Sequence, residues 1–341
     1  MQRTQAAEPR AGRALELVTR LQTRFADGLG ALPGAKTYES VTWLRDEGRH
    51  GGGERLVSPV CEAFNRASVN VSQVHYDDLP SRRLSSATAL STIVHPSNPR
   101  APSVHIHISW TAMRDGKAYW RLMADLNPSI LDDADRDAYE AVLRRAAGEH
   151  YDLAKDNADA YFYIPALARH RGVAHVYLEG YDSGDFDDDL AFASAFGDTV
   201  TDGYVALLEP ALGREFTEHD VAAQRAYHTA YLFQVLTLDR GTTSGLLIHD
   251  QNDVGILGSL PAVVDATLLR SWAEHVPDVQ VPLVHGLAEA LGGEPLAAVD
   301  EPRKRALAKV VREHYRANPE ALSKQATGPI IPTTVANHGP R

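Results

Sequence analysis

Residues 104–113 read VHIHISWTAM, and residues 118–124 return as AYWRLMA after an Asp115-Gly116 bend. Polar and apolar residues alternate with period two in the first segment, which predicts a strand buried on one face. Asp-Gly is a hairpin turn signal, so the second segment is its antiparallel partner. Ile106 and Ile108 point into a core, and His105 and His107 project together from the other face. Two imidazoles placed this way serve as metal ligands or acid–base groups, or stand as hydrogen-bonded polar residues on a half-wet sheet. Asp125 ends the returning strand, ahead of Pro128. A strict two-residue turn sets it opposite Ile106, on the wrong face, whereas a bulge or a three-residue loop sets it opposite His105. The second register puts a carboxylate beside imidazole, as proton transfer or the orientation of a ligand histidine requires. The other reading of Asp125 is a cap before Pro128.

Working outward, residues 69–74 and 89–94 read as two more strands, with His75 and His95 at their ends. Leu15, Val18, Leu21, Phe25 and Leu29 recur at helical spacing between Gly12 and Gly30, and Gly28, Gly30 and Pro33 stop that helix. Gly48 and the run Gly51, Gly52, Gly53 make residues 45–54 a flexible loop. Downstream, 131–148 and 151–169 are helical by pattern and 173–178 is a buried-type strand. The acidic run 185–189 lacks the Gly and Glu spacing of a calcium loop and starts a helix over 190–208, where the dipole favours carboxylates. Residues 217–230 form another helix. Residues 232–238 and 245–249 read as strands joined by an Asp239-Arg240-Gly241 turn. Segments 256–264, 266–276 and 301–317 are mixed and helical. Residues 1–10 are a polar lead-in, 11–317 a single domain and 318–341 a tail. Strands and helices cluster instead of alternating, which favours an α+β fold with a mainly antiparallel sheet.

Composition narrows the function classes. The chain has 341 residues, 44% hydrophobic and 23% charged, with a net charge of −11. An acidic surface without a Lys/Arg stripe argues against nucleic acid. Cys61 stands alone, so no intrachain disulfide or cysteine zinc cage forms, which fits a reducing cytoplasm. No apolar run approaches the ~18 residues of a membrane span. No phosphate loop, dinucleotide fingerprint or Gly-x-Ser-x-Gly elbow is present. Arg240 beside Asp239 suits bidentate capture of a substrate carboxylate, or a plain turn-stabilising ion pair.

Taken in order, several segments resemble the oxygen-dependent coproporphyrinogen III oxidase family. They are Val69-Asn70-Val71-Ser72 with Val74-His75, Ser91-Thr92-Ile93-Val94-His95-Pro96 with Asn98-Pro99, and Pro102-Ser103-Val104-His105. They continue with Asp125-Leu126 and Pro128, Tyr161-Phe162-Tyr163, Arg171-Gly172-Val173, Asp239-Arg240-Gly241-Thr242 and Ser259-Leu260-Pro261. The resemblance implies a large, mainly antiparallel sheet flanked by helices on both faces, and a homodimer. It implies oxidative decarboxylation of two propionate side chains with O2, no organic redox cofactor, and an unsettled place for a metal. By motif match, Ser91 is a substrate contact, His95 a pocket or metal residue and His105 a proton donor. Asp125 anchors pyrrole N–H groups, and Asp239 and Arg240 line the pocket.

The sequence also departs from the family pattern. The family's Asn-x-Arg is His107-Ile108-Ser109 here, and its Gly-Gly-Arg segment is His249-Asp250-Gln251-Asn252. Histidines of the family fall near Ala138 and Ala166, a Glu and an Asn become Phe233 and Val235, and a Gly-Gly-Gly becomes Arg121-Leu122-Met123-Ala124. Each lost charge-assisted contact is worth ~1.5–3 kcal/mol, so losing two arginines weakens binding of a tetracarboxylate by roughly 10²–10⁴-fold. New histidines appear at 107, 170, 175, 228 and 249. The expectation is therefore an O2-dependent oxidase or oxidative decarboxylase for a different, electron-rich heteroaromatic carboxylate. His105, Asp125 and Arg240 are its expected catalytic residues, and Ser91, His107, Asp239, His249 and Asn252 its substrate contacts. Alternatives are a metal-dependent oxygenase with Fe, Mn or Cu on His95, His105 and His107, a true coproporphyrinogen III oxidase, and a non-catalytic tetrapyrrole-binding homologue.

Overall fold

Met113 N–H donates to the Lys117 carbonyl at 2.8 Å, closing a three-residue loop in which Gly116 takes φ +91°. Such a loop uses glycine at its left-handed position. It sets Ala112 opposite Ala118 and His105 opposite Asp125, the register that joins carboxylate and imidazole on one face. This hairpin lies inside a larger sheet. The computed structural model describes residues 3–326. Among them the strands of this sheet are β1 (Glu39–Leu44), β2 (Gly51–Ser58), β3 (Phe64–His75), β4 (Leu84–Pro96), β5 (Ser103–Met113), β6 (Ala118–Asn127) and β7 (Ala174–Tyr181). They pair in chain order, each antiparallel to the next.

The main helices are α1 (Pro9–Gly30), α2 (Asp133–Ala147), α3 (Tyr151–Phe162), α4 (Phe186–Ala211), α5 (Glu218–Thr237) and α6 (Arg240–Ile248). One sheet face carries Val69, Val71, Leu90, Ile106, Ile108, Leu122 and Val176, buried with apolar residues of α1, α2 and α4. The other face is polar along β5, with His105, His107, Ser109 and Thr111. It is roofed by α5, α6, Ala266–Ser271, Val281–Ala290 and Glu301–Ala317, which share a second core. At the β7 end α3 closes the same face, through Ala158, Tyr161 and Phe162 on Met123 and Tyr177. Helices thus cover both faces, and the polar face is left with an enclosed space.

Several expectations are corrected. The glycine tract at 51–53 is not a loop but the start of β2: a Cβ on Gly51 would lie 2.1 Å from the Gln73 carbonyl oxygen, and one on Gly53 2.4 Å from that of Val71. Glycine there lets neighbouring strands approach. Residues 232–237 and 245–248 are helical, inside α5 and α6, and Leu238 and His249 are their C-caps. Tyr227–Thr237 is buried on all sides, so no polar stripe marks its period. Asp239 is accordingly the N-cap of α6 and not a hairpin turn, its Oδ1 accepting from Thr242 N–H at 2.6 Å. The second of the paired helices ends at Phe162, and the acidic run lies in the first turn of α4 with Asp185 as N-cap. Residues of the lead-in are tied down, Thr4 N–H to the Gly48 carbonyl at 3.0 Å and Ala6 N–H to Gln73 Oε1 at 2.9 Å. The expected tail begins as a 3-10 helix, Pro319–Lys324, with Ala321 buried and Gln325 donating to Thr243 Oγ1 at 2.6 Å. Residues 327–341 of that tail lie outside the described residues. Among the described residues no helix is long and apolar enough to cross a membrane.

Candidate active site

Between the polar sheet face and its roof lies a cavity of about 350 Å³. Strand alternation brings Ser68 and Asn70 of β3, Ser91 of β4, His105 and His107 of β5, Arg121 and Met123 of β6, and Tyr177 and Glu179 of β7 to its floor. Tyr161 of α3, Tyr231 and Val235 of α5, and Asp239 and Arg240 at the start of α6 complete the wall. Of the residues expected in the site, His105, His107, Ser91, Asp239 and Arg240 line this cavity.

Asp125 does not line this cavity. It is 0% exposed and sits behind His105, which corrects its expected role as a direct substrate anchor. Its partner is Arg171, whose Nε donates to Asp125 Oδ2 at 2.8 Å, with Nη2 2.6 Å from the same oxygen. The same Nη2 donates to His105 Nδ1 at 3.0 Å, and Nη1 to Gln234 Oε1 at 2.9 Å. The guanidinium lies 4.3 Å from the Phe162 ring centroid and 5.4 Å from that of Tyr231. Asp125 Oδ1 and His175 Nδ1 lie 3.3 Å apart without hydrogen-bond geometry, and His175 Nε2 contacts Asp159 Oδ1 at 2.7 Å. Gly172 makes room for the carboxylate: a Cβ there would stand 1.9 Å from Asp125 Oδ1.

These contacts define the state of His105. A guanidinium only donates, so Nδ1 must accept and the imidazole proton resides on Nε2. Burial, then the adjacent Arg171 cation, push His105 well below the ordinary histidine range. His105 is therefore a neutral N–H donor on the cavity wall and not a stored imidazolium. Burial raises the Asp125 carboxyl, but Arg171 and His175 outweigh it and hold the group below its usual value, so it stays ionised. Burial also brings His107 down to about 4, helped by Arg121. Its Nε2 lies 3.0 Å from Ser109 Oγ.

The α6 end of the cavity holds a row of alternating charges. Glu179 lies between Arg240, at 3.3 Å, and Arg121, at 3.6 Å. Tyr161 OH donates to Asp239 Oδ2 at 3.0 Å. Two guanidiniums therefore face two carboxylates across the described wall, with no excess positive charge.

The other expected ligand and contact residues lie as follows. The proposed metal set His95, His105 and His107 does not converge. Both His95 nitrogens are engaged, Nδ1 with Ser103 Oγ at 2.9 Å and Nε2 with the Ser259 carbonyl at 3.2 Å, and His95 is buried against His228 and Tyr231. Among the described residues no three His, Cys, Asp or Glu side chains are placed to hold an ion. His249 and Asn252 are not in the lining: His249 Nδ1 is 2.5 Å from Arg45 Nη1 and its ring stands edge-on to Trp43, because α6 carries the segment past the cavity. The residues not foreseen are Arg171, Arg121, Glu179, Tyr177 and Tyr231. Alternation marks Arg121 on the face of Asp125 and Glu179 on that of His175, a signal readable once both strands are extended.

Residues 13–278 match the family described as Coproporphyrinogen III oxidase. The chain is 25% identical over 290 residues to the protein named oxygen-dependent coproporphyrinogen-III oxidase, mitochondrial, of Rattus norvegicus, covering 78% of this chain and 65% of that protein. It is 24% identical over 290 residues to the protein of the same name in Homo sapiens, covering 78% of this chain and 63% of that protein. The matched region thus spans a little under two thirds of the length of these relatives.

Proposed function

The chain belongs to the coproporphyrinogen III oxidase family, and on that premise we propose that it is an O2-dependent oxidase that decarboxylates an electron-rich heteroaromatic carboxylate smaller than a tetrapyrrole. The observation that carries this reading is a neutral His105 N–H on the cavity wall, with the Arg171–Asp125 ion pair locked behind it. For a propionate side chain, R–CH2–CH2–COOH and O2 yield R–CH=CH2, CO2 and H2O2. The bond to the carboxyl carbon and one C–H bond on the carbon beside R break, the C=C bond forms, and two electrons and two protons pass to O2. A pyrrole or indole ring is rich enough in electrons to reduce O2 directly.

In this scheme the His105 Nε2–H meets the negative charge that develops on oxygen. A preorganised donor in a water-poor site is the usual source of such stabilisation. Arg171 adds a fixed positive charge behind the ring, and Asp125 holds Arg171 in place. Arg240 holds the reacting carboxylate, while Glu179 and Asp239 position Arg240 and Tyr161. Ser91 and His107 supply neutral polar contacts. Two features support a smaller substrate: a volume near the lower end of the roughly 300–1,000 Å³ common for ligand cavities, and a wall whose two cations are already matched by two carboxylates. Homodimer assembly belongs to the same proposal, and a monomer mass in sedimentation would remove it.

The test is oxygen uptake with stoichiometric CO2 release by chelator-treated protein, across indole and pyrrole propionates and coproporphyrinogen III. Uptake with a small heteroaromatic acid, lost in His105→Gln, is the expected result. No uptake with any of them overturns the reading. Efficient turnover of coproporphyrinogen III alone overturns its substrate clause.

A further inference from the structure

Among the described residues, the charged groups that line the cavity are Arg121, Glu179, Asp239 and Arg240, all at the end built by β6, β7 and the start of α6. The two carboxylates are not equally committed. Asp239 accepts at both oxygens, Oδ1 from Thr242 N–H at 2.6 Å and Oδ2 from Tyr161 OH at 3.0 Å. Glu179 is held more loosely. Its Oε1 lies 3.3 Å from Arg240 Nη2 and 3.6 Å from Arg121 Nε, and its Oε2 lies 3.5 Å from Arg240 Nη2. Charge-assisted contacts close to ~2.7–2.9 Å, and Arg171 reaches Asp125 at 2.6 and 2.8 Å in the same fold. Tyr177 gives Glu179 a hydrogen bond, and burial, then that carboxylate, push the Tyr177 phenol up. A carboxylate offers about four acceptor positions. The Glu179 side chain is 2% exposed, so its remaining capacity faces the cavity and not bulk water.

Charge balance then restricts the ligand. Arg121 and Arg240 are set against Glu179 and Asp239, so the wall is neutral. A ligand that brings only a carboxylate leaves this end with three negative groups against two positive ones, in a buried place where uncompensated charge is strongly unfavourable. A ligand with a carboxylate and an ammonium keeps the balance even. Arg240 and Glu179 are in contact. The two ligand charges that meet them must therefore be neighbours as well, as in a 2-amino acid. The uncharged lining includes Ala87, Ala89, Ile93, Met123, Val235 and Ile256, an apolar surface for a flat ring.

We propose that Glu179 binds an ammonium group, and that the ligand is a zwitterionic 2-amino acid with an indole-like side chain, its carboxylate on Arg240 and its ammonium on Glu179. This rests on the reading that the cavity takes a small heteroaromatic acid, and it adds a basic nitrogen beside the reacting carboxyl. R–CH2–CH(NH2)–COOH and O2 then yield R–CH=CH–NH2, CO2 and H2O2. The bond to the carboxyl carbon and one C–H bond on the carbon beside R break, the C=C bond forms, and two electrons and two protons pass to O2. Water converts the enamine to R–CH2–CHO and NH3, so ammonia release accompanies turnover.

The experiment is calorimetric titration of the full chain, without O2, with three probes that share one ring: L-tryptophan, indole-3-propionate and tryptamine. L-tryptophan should bind about tenfold or more tightly than either of the others. Glu179→Gln should weaken L-tryptophan by about tenfold or more and tighten indole-3-propionate, because it removes a like charge beside the bound carboxylate. A role for Glu179 in folding alone would move both probes the same way. Arg121→Met carries the test if Glu179→Gln does not fold: with one cation fewer, tryptamine should tighten and indole-3-propionate weaken. Equal binding of the three probes, tighter binding of indole-3-propionate than of L-tryptophan, no binding of any of them, or parallel shifts in the variants overturns the ammonium site. His105→Gln should bind L-tryptophan as the wild-type protein does while losing oxygen uptake. Oxygen uptake with indole-3-propionate by a protein that does not prefer L-tryptophan would leave the oxidase reading standing and overturn this inference alone.

Discussion

Asp125 stands directly across the β5–β6 ladder from His105, yet the two communicate through Arg171. A single guanidinium nitrogen lies 2.6 Å from the carboxylate and 3.0 Å from the imidazole. The carboxylate therefore does not take the imidazole proton. It fixes a cation that selects the tautomer and keeps the ring neutral.

Removing one member of this buried ion pair strands the other. Arg171→Met should cost about 3–5 kcal/mol of stability in chemical denaturation, as should Asp125→Leu. The double variant should lose much less than the sum of the two. Additive losses would mean that the pair is not energetically coupled.

Gly172→Ala tests the space beside Asp125. The new Cβ would meet Asp125 Oδ1 at 1.9 Å and the Leu126 carbonyl oxygen at 2.6 Å, so the carboxylate or β6 must move. Overpacking of this kind costs typically 1–3 kcal/mol. Activity should fall further than stability alone explains, because His105 shifts with Arg171. Wild-type turnover in a folded Gly172→Ala protein would show that the positions of Asp125 and Arg171 do not matter.

Stability should decline with acid in a window set by His107. In the unfolded chain an imidazole takes up a proton near pH 6.5, whereas folded His107 does so only at about 4. Between those values the unfolded state binds more protons, so lowering the pH favours unfolding. The contribution is intact above pH 6.5 and is lost as pH falls to 4, amounting to at most about 3 kcal/mol. His95 and His105 act in the same direction. Urea melts from pH 7.5 to 4 should show a shallower slope for His107→Gln, and an unchanged slope would count against a neutral His107.

Asp239 both caps α6 and accepts from Tyr161. Asp239→Ala should cost about 0.5–2 kcal/mol through the cap and should also raise KM for a carboxylate substrate, because Arg240 begins the same helix. Asp239→Ser restores a cap without the charge. It should recover most of the stability but not KM. Recovery of both would reduce Asp239 to a capping residue.

The polar face of β5 and the hairpin were legible in residue order, whereas Ser91, Asp239 and Arg240 were assigned to the same pocket only through the family resemblance. Period-two alternation and turn chemistry are local properties. The α5 run was not, because a helix buried on every side has no polar stripe to reveal its period. Its misassignment as a strand hid Tyr231 and Gln234, which flank Arg171 from successive helical turns. Likewise β2 looked like a flexible glycine loop, since the neighbouring strands that require those glycines lie elsewhere in the chain.

Local order along the chain was enough to specify an α+β chain with an antiparallel hairpin and a one-sided row of imidazoles, because alternation and bends act over a few residues. Whether those imidazoles met a metal, a carboxylate or a cation depended on distant groups, Arg171 lying 66 positions from His105 and 46 from Asp125. Packing alone brings such partners together, and burial then converts the juxtaposition into a neutral His105 and an ionised Asp125.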